Sequence, residues 1–298
     1  MTDLSIACLL YNAERTRAGD LSFFFEQLKE IERKSECSTE RIVWVDNKTT
    51  DNTAEIARDY CEPESFDFNG FADAKNRLLE RAKGGWVFIP EPDMRYDTDA
   101  VADIIKGAKG KDFKCIEAWQ KIKHYRGGEE DNLYTTLMKP SARFYGEAFV
   151  IPKVFPHEEC AIDCFVGTHH MEAFSKRVEQ RRPLVKKELE ELALVKDDPE
   201  ENYWAAKRYF EIASAGFISG NEASDRICSL LTDAIRLDPS FGPAYYELAA
   251  HYLLCQGYPQ ALRIASQGIE KGYEPCKSVM NSILRSMQSE GGAGIRIL

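Results

Sequence analysis

Gly85–Asp97, GWVFIPEPDMRYD, is the stretch whose reading decides the fold. A short apolar run, Trp86 to Ile89, ends abruptly in two carboxylates one residue apart, Glu91 and Asp93. About four to eight apolar residues bounded by turn formers read as a buried strand. Acids released at the carboxyl end of such a strand lie at the mouth of a sheet, where open α/β folds bind ligands. Two acids at i and i+2 can share one divalent cation, and such a cation typically holds a substrate phosphate. The plain alternative is a polar turn with solvated acids, and this stretch by itself does not choose.

Two earlier segments choose. Leu4 to Tyr11 (LSIACLLY) is an apolar strand that runs into Asn12 and Glu14. Arg41 to Val45 (RIVWV) is another, and it runs into Asp46 and Asn47. After the second, Thr49, Thr50 and Asp51 offer N-caps ahead of the helical pattern Ile56, Ala57, Tyr60. A strand-then-acid unit repeated with helical patterns between predicts a parallel sheet with one ligand edge.

In these segments the chain resembles family 2 glycosyltransferases, which have the GT-A fold. VDNKTTDNTAEIA (45–57) is similar to their "DDgStDnT" segment. FADAKNRLLERAKGGWVF (71–88) resembles their "ARN…a.G.w" segment, with Ala74, Lys75 and Asn76 in the ARN places. EPD at 91–93 falls where the family has its DxD motif. Order and spacing agree over roughly residues 4–100. Further on, ARFYGEAFVIPKVFPHEE (142–159) resembles the "R.f….f.g.vHE" segment of a subgroup that carries helical repeats after the catalytic domain. The chain departs from the pattern in that Glu91 replaces the first Asp of DxD, Pro92 stiffens its middle, and Asn47 replaces the second Asp of the earlier motif. A glutamate reaches one methylene further and still ligates, directly or through water.

The resemblance implies an α/β, GT-A nucleotide-diphospho-sugar transferase domain with a mostly parallel sheet over residues 1–190. An all-α, tetratricopeptide-like helical domain would follow over 191–298. The implied reaction is a hexosyltransferase-type transfer of a sugar from a nucleotide sugar, most simply a UDP-sugar, to an acceptor hydroxyl or thiol. It would invert the anomeric centre by one in-line displacement, assisted by Mn²⁺ or Mg²⁺. Asn12, Glu14 and Asp46 would hold base and ribose, Arg77 or Lys75 would touch phosphate or sugar, and Asn47, Asn76 and Glu91 would also bind the donor. Glu91 and Asp93 would hold the metal, with His169 or His170 as a further metal or diphosphate contact. The general base would be Glu158 of the His157–Glu158 pair, with Glu159 as local rival and Asp163 next.

Composition narrows the partners. The chain has 298 residues, 44% hydrophobic and 30% charged, with a net charge of −10. So acidic a chain is not built as an electrostatic trap for nucleic acid, and it gains nothing at anionic membrane surfaces. One basic run, Lys176, Arg177, Arg181, Arg182, Lys186 and Lys187, reads as a solvated connector helix or as a cationic edge beside a diphosphate or anionic acceptor. It is also the sole support for a transferase acting on modified DNA bases. No run approaches the ~20 apolar residues of a membrane span. The start, MTDLSIACLLYNAE, lacks the basic n-region of a signal peptide, so a cytoplasmic enzyme is expected. The odd count of nine Cys, scattered through apolar segments, suits reduced thiols. His157, Cys160, Cys164, His169 and His170 have spacings open to zinc, without a C-x2-C knuckle or an HExxH. GxGxxG, P-loop and GxSxG signatures are absent.

Along the chain, Lys106–Lys111 breaks the pattern before a strand-like Phe113–Trp119. His124 to Asn132 reads as an acceptor-side loop, and aromatic and β-branched residues return at Phe144 to Phe155. After Arg182 the pattern is helical, with a seam at Asp197, Asp198 and Pro199. Ala234, Leu237-Asp238-Pro239, Ala244, Tyr245, Leu248, Ala249, Tyr252, Gly257, Tyr258 and Ala261 are similar to a tetratricopeptide repeat. A weaker helix pair precedes it over about Pro199 to Leu237, and the Gly-rich end after Ser289 is expected to fray. Two such units fall short of the usual ~3, so they need another surface, either the first domain or a second copy in a homo-oligomer. The competing class is a degenerate transferase that binds nucleotide or protein and presents its repeats to a partner. The altered EPD favours that class, and an intact metal-dependent donor site opposes it.

Overall fold

The structure, a computed structural model, describes residues 2–16, 18–123, 129–146, 151–156, 158–170, 174–194 and 197–290. The chain divides into two compact units, Met1–Leu184 and Val185–Leu298.

Unit one begins β1 (Leu4–Leu10), α1 (Leu21–Ser35), β2 (Thr39–Asp46), α2 (Thr53–Ala57), β3 (Glu64–Phe66) and α3 (Phe71–Arg81). It continues with β4 (Trp86–Phe88), β5 (Met94–Tyr96), α4 (Thr98–Ala108), β6 (Cys115–Lys123) and β7 (Glu129–Met138). The short strands β8 (Phe144–Tyr145) and β9 (Ile151–Pro152), the long β10 (Glu159–His170) and the start of α5 (Phe174–Leu192) complete it. The main sheet runs β3-β2-β1-β4-β7-β6-β10-β5, and β8 and β9 form a separate pair. β7 and β5 run antiparallel to their neighbours. The other main-sheet strands share one direction. The sheet is therefore mostly parallel, as the motif pattern predicts, with two reversed strands added.

Both faces of the sheet are covered. Leu4, Ile6, Cys8 and Leu10 of β1 pack with Phe24, Leu28 and Ile31 of α1 and with Val101, Ile104 and Ile105 of α4. On the other face Ala7, Ile42, Trp44 and Val87 pack with Ala74, Leu78 and Leu79 of α3. Strands buried on both sides have no polar face to show, which is why LSIACLL and IVWV read as continuous apolar runs. Gly84 admits β4 beside β1, since a Cβ there would come 2.4 Å from the Ser5 nitrogen.

Three local expectations change. The helix after β2 is a single turn that starts at Thr53 with Asn52 as N-cap. Asp51 instead accepts hydrogen bonds from the Thr53 N–H and hydroxyl at 3.0 and 2.5 Å. The loop read at His124–Asn132 is shorter, because residues from Glu129 onward already pair with β6. That strand end is exposed and carries charge, with Lys121 and Lys123 each 3.4 Å from Glu129, so its apolar signal is weak. The third change is β10 itself: Cys160, Ile162, Cys164 and Val166 alternate toward the core, and helix begins at Phe174, ahead of Arg182.

Unit two continues α5 and adds α6 (Pro199–Ser214), α7 (Gly220–Leu237), α8 (Gly242–Leu254), α9 (Tyr258–Glu270) and α10 (Cys276–Glu290). Asp198 caps α6, accepting from the Glu201 N–H at 2.8 Å, with Pro199 in the first turn. α6 packs on α7 and α8 on α9, and α7–α8 and α9–α10 contacts continue the stack. Small residues permit this spacing. A Cβ on Gly268 would meet the Cys276 sulfur at 2.4 Å, and Ala234, Ala244, Ala249 and Ala261 are fully buried. Arg208 Nε donates to the buried Glu188 at 2.7 Å, joining α5 to α6. Among the described residues, no helix is long and apolar enough to cross a membrane. The Gly-rich end from residue 291 lies outside the described residues.

Candidate active site

β2 lies on one side of β1 and β4 on the other, so the connections leaving β1 and β4 diverge. In an open α/β sheet that divergence opens a crevice at the carboxyl ends of the strands. Asn12, Glu14, Asp46, Asn47, Glu91 and Asp93 all leave strand ends at this edge, and α3, which carries Lys75, Asn76 and Arg77, follows β3.

The first two motif loops are laced together. Asn12, held at a left-handed φ of 43°, accepts from the Thr50 N–H at 2.8 Å. Glu14 accepts from the Asn52 N–H and side-chain amide, both at 3.2 Å. The Ala13 and Glu14 N–H groups donate to Thr53 Oγ1 and Asp51 at 2.7 and 3.1 Å. Asp46 is buried and accepts from the Lys48 N–H at 3.0 Å, and Asn47 donates to Asp67 at 2.7 Å.

The EPD turn is braced from both sides. The Glu91 N–H donates to the Tyr96 hydroxyl at 2.8 Å, Tyr96 hydrogen-bonds Tyr134, and Tyr134 donates to the Ile89 carbonyl at 3.1 Å. Burial, and then the Glu91 carboxylate, raises the Tyr134 phenol; burial also raises that of Tyr96, so both stay protonated. Thr16 donates to the Pro92 carbonyl at 3.0 Å, and Arg95 Nε to the Ala18 carbonyl at 2.6 Å. Asp93 is half-buried beside this turn. Tyr134 and Thr16 escape a reading of motifs because neither sits in one.

Lys75 lies 3.6 Å from Glu91 and 5.1 Å from the centre of the Phe144 ring. Arg77 stands over Trp44 at 5.3 Å and 3.7 Å from Asp73. Asn76 spends both ends of its amide on the Phe144 backbone, at 2.9 and 2.7 Å, and so holds β8 against α3.

The structure does not bring the proposed bases to this edge. β10 starts with Glu159 opposite Cys115, at the amino edge, and reaches the carboxyl edge only at His169, opposite Ile122. These ends face Cys115 and Ile122 of β6, so at ~3.3 Å per residue they lie roughly 20 Å apart. Glu158 precedes that start; it pairs with Lys114 at 2.6 Å and accepts from the Phe155 N–H at 3.1 Å. Asp163 is exposed at an irregularity in mid-strand. The same length separates Cys160 from His169, so those residues do not share one zinc ion. His169 also pairs with Met94, which puts its backbone beside Asp93; its side chain and that of His170 lie outside the described residues, as does His157.

Among the described residues, Cys115, Glu117 and Glu159 have ligand atoms within 4.8 Å of one another. They lie at the amino edge, and burial raises the Cys115 thiol. Of the basic run, Lys176 and Arg177 have side chains outside the described residues. Lys186 and Lys187 each sit 4.0 Å from a glutamate four residues on, as in a solvated connector helix.

The family profile described as "Glycosyl transferase family 2" matches residues 6–178. No curated protein matches the chain. Among solved structures, TarS 1-349 of S. aureus in complex with UDP-GlcNAc is similar at 12% identity and a TM-score of 0.45, over 95% of this chain and 92% of that one. Glucosyl-3-phosphoglycerate synthase from Mycobacterium tuberculosis, in complex with Mn²⁺, UDP and glucosyl-3-phosphoglycerate, is similar at 12% identity and a TM-score of 0.45, over 62% and 77%.

Proposed function

Because this chain belongs to glycosyl transferase family 2, we propose that it moves a hexose from a UDP-sugar to an acceptor hydroxyl or thiol, with inversion and with help from a divalent cation. The observation that supports this reading is the convergence of Asp46, Glu91, Asp93 and Lys75 on the crevice where the strand order reverses.

Breaking the anomeric bond leaves negative charge on a departing diphosphate. Two neighbouring carboxylates suit Mg²⁺ or Mn²⁺, which commonly take one or two protein carboxylates and fill the rest with phosphate and water. Glu91 and Asp93 would hold the ion, and when bound it offsets charge on the leaving group. Lys75, half-buried against Phe144, offers the diphosphate a fixed cation at the same mouth. Asp46 accepts a hydrogen bond from the uracil ring N–H, with Asn12 and Glu14 shaping the nucleoside side of the crevice. The Tyr96–Tyr134 bridge keeps the acids from swinging away. Glu158 and Glu159 have no step in this reading, since the sheet lies between them and the donor.

Calorimetric titration of UDP with and without Mn²⁺ tests it, with Asp93→Asn alongside. The expected result is Mn²⁺-dependent binding that weakens at least about tenfold in the variant, and hydrolysis of at least one UDP-sugar. No binding of UDP under either condition overturns the reading. Binding with no turnover on any sugar donor or acceptor places the chain in the competing class of nucleotide-binding modules.

A further inference from the structure

One cluster of nucleophilic groups lies apart from the crevice, in the helical unit. Ser224 Oγ of α7 is 2.8 Å from His251 Nε2 of α8. Cys255 Sγ, at the end of α8, is 3.8 Å from the same nitrogen and 3.9 Å from Ser224 Oγ. Cys228, one turn beyond Ser224, hydrogen-bonds Ser224 and Tyr252. His251 is buried, whereas Cys255 is exposed. Nine thiols are free, and Cys255 alone among them is exposed.

We propose that Cys255 is a site of thiol exchange with small disulfides, with His251 as its proton acceptor. A nucleophile within reach of a base is the arrangement that activates a weak nucleophile, and here the Ser224 hydroxyl competes for the same nitrogen. Burial lowers the His251 pKa and keeps the ring neutral, and in the Nδ1–H tautomer, with the Ser224 hydroxyl donating, Nε2 is the atom that takes a proton. In the step, Nε2 takes the S–H proton and the Cys255 thiolate attacks one sulfur of the disulfide. That S–S bond breaks as the new one forms, and the small thiolate leaves with the proton returned by His251. One disulfide is consumed and one is made, so no other oxidant enters. Burial raises the thiols of Cys8, Cys61, Cys115, Cys164, Cys228 and Cys276, which makes them slower partners for the same reagent.

The test is incubation of the full chain with oxidised glutathione, followed by intact mass and peptide mapping. The first adduct is expected on Cys255. His251→Gln is expected to slow it about tenfold or more, because the proton acceptor is gone. Ser224→Ala is expected to speed it, because the hydroxyl no longer occupies Nε2, and alanine suits this helix position. If His251→Gln does not fold, the Ser224→Ala rate decides alone. A first adduct on Cys37 or Cys160, or a Cys255 rate unmoved by Ser224→Ala, overturns the proposal and leaves exposure as the sole cause of reactivity.

Discussion

Lys75 Nζ lies 3.6 Å from Glu91 Oε1, so an ammonium from α3 reaches the carboxylate that leaves β4. The side chains are 19% and 34% exposed, so solvent screens the pair and its own stabilisation is small. Its consequence is competitive: a lysine on Glu91 and a divalent cation on Glu91 seek the same charge.

Lys75→Met should therefore lower the Mn²⁺ concentration for half-maximal activity a few-fold and raise the UDP-sugar KM about tenfold. Initial rates over a grid of metal and donor concentrations separate the two. If both constants stay put, Lys75 belongs to the packing on Phe144 and not to the donor.

Two glycines admit close strand approach, one ahead of β4 in the middle of the sheet and one in β10 beside the end strand β5. A Cβ on Gly167 would come 2.2 Å from the Arg95 carbonyl oxygen, and one on Gly84 would come 2.4 Å from the Ser5 nitrogen. Each alanine variant should lose about 1–3 kcal/mol in urea unfolding, as overpacked sites do. Only Gly167→Ala should also weaken Mn²⁺ binding, because β5 follows Asp93 directly. Equal metal affinity in both variants would detach β5 pairing from the site.

Glu158→Gln discriminates between an edge-stabilising acid and a base. The 2.6 Å contact with Lys114 and the bond from the Phe155 N–H tie the starts of β6 and β10. The substitution should lower the melting temperature while kcat stays within about twofold. A loss of about 10²–10⁴ in kcat at unchanged UDP affinity would instead make Glu158 the base.

Acid should act through Asp51 and Glu40. Burial disfavours their charge, but hydrogen bonds from Thr53 and the Glu14 N–H to Asp51, and from the Lys83 N–H and Ser5 to Glu40, outweigh it. Both carboxyls fall below their ordinary values of 3.8 and 4.5. Folding thus favours the ionised forms; the gain is whole above those ordinary values and is lost as pH falls below them through the folded-state values. The urea midpoint should hold from neutral pH to about pH 5 and then drop. Asp51→Asn should be less stable at neutral pH and drop less.

Much of this molecule is written locally. A run such as LSIACLL or IVWV reports its own burial, and Asp198 before Pro199 announces a helix start that accepts a backbone N–H, because capping needs only residues within one turn. The repeated strand-then-acid units determined the α/β class without any knowledge of strand order. Strand order, and therefore distance, came only with the tertiary structure. Cys160 and His169 stand close in sequence and read as one constellation, yet β10 extends between them and sends them to opposite edges. Lys75 and Glu91, Tyr134 and Ile89, and Asn76 and Phe144 meet because the covered faces of the sheet select which strands pair. Periodicity and caps are short-range signals, whereas pairing minimises exposed apolar surface over the whole unit, and no window of sequence contains that sum.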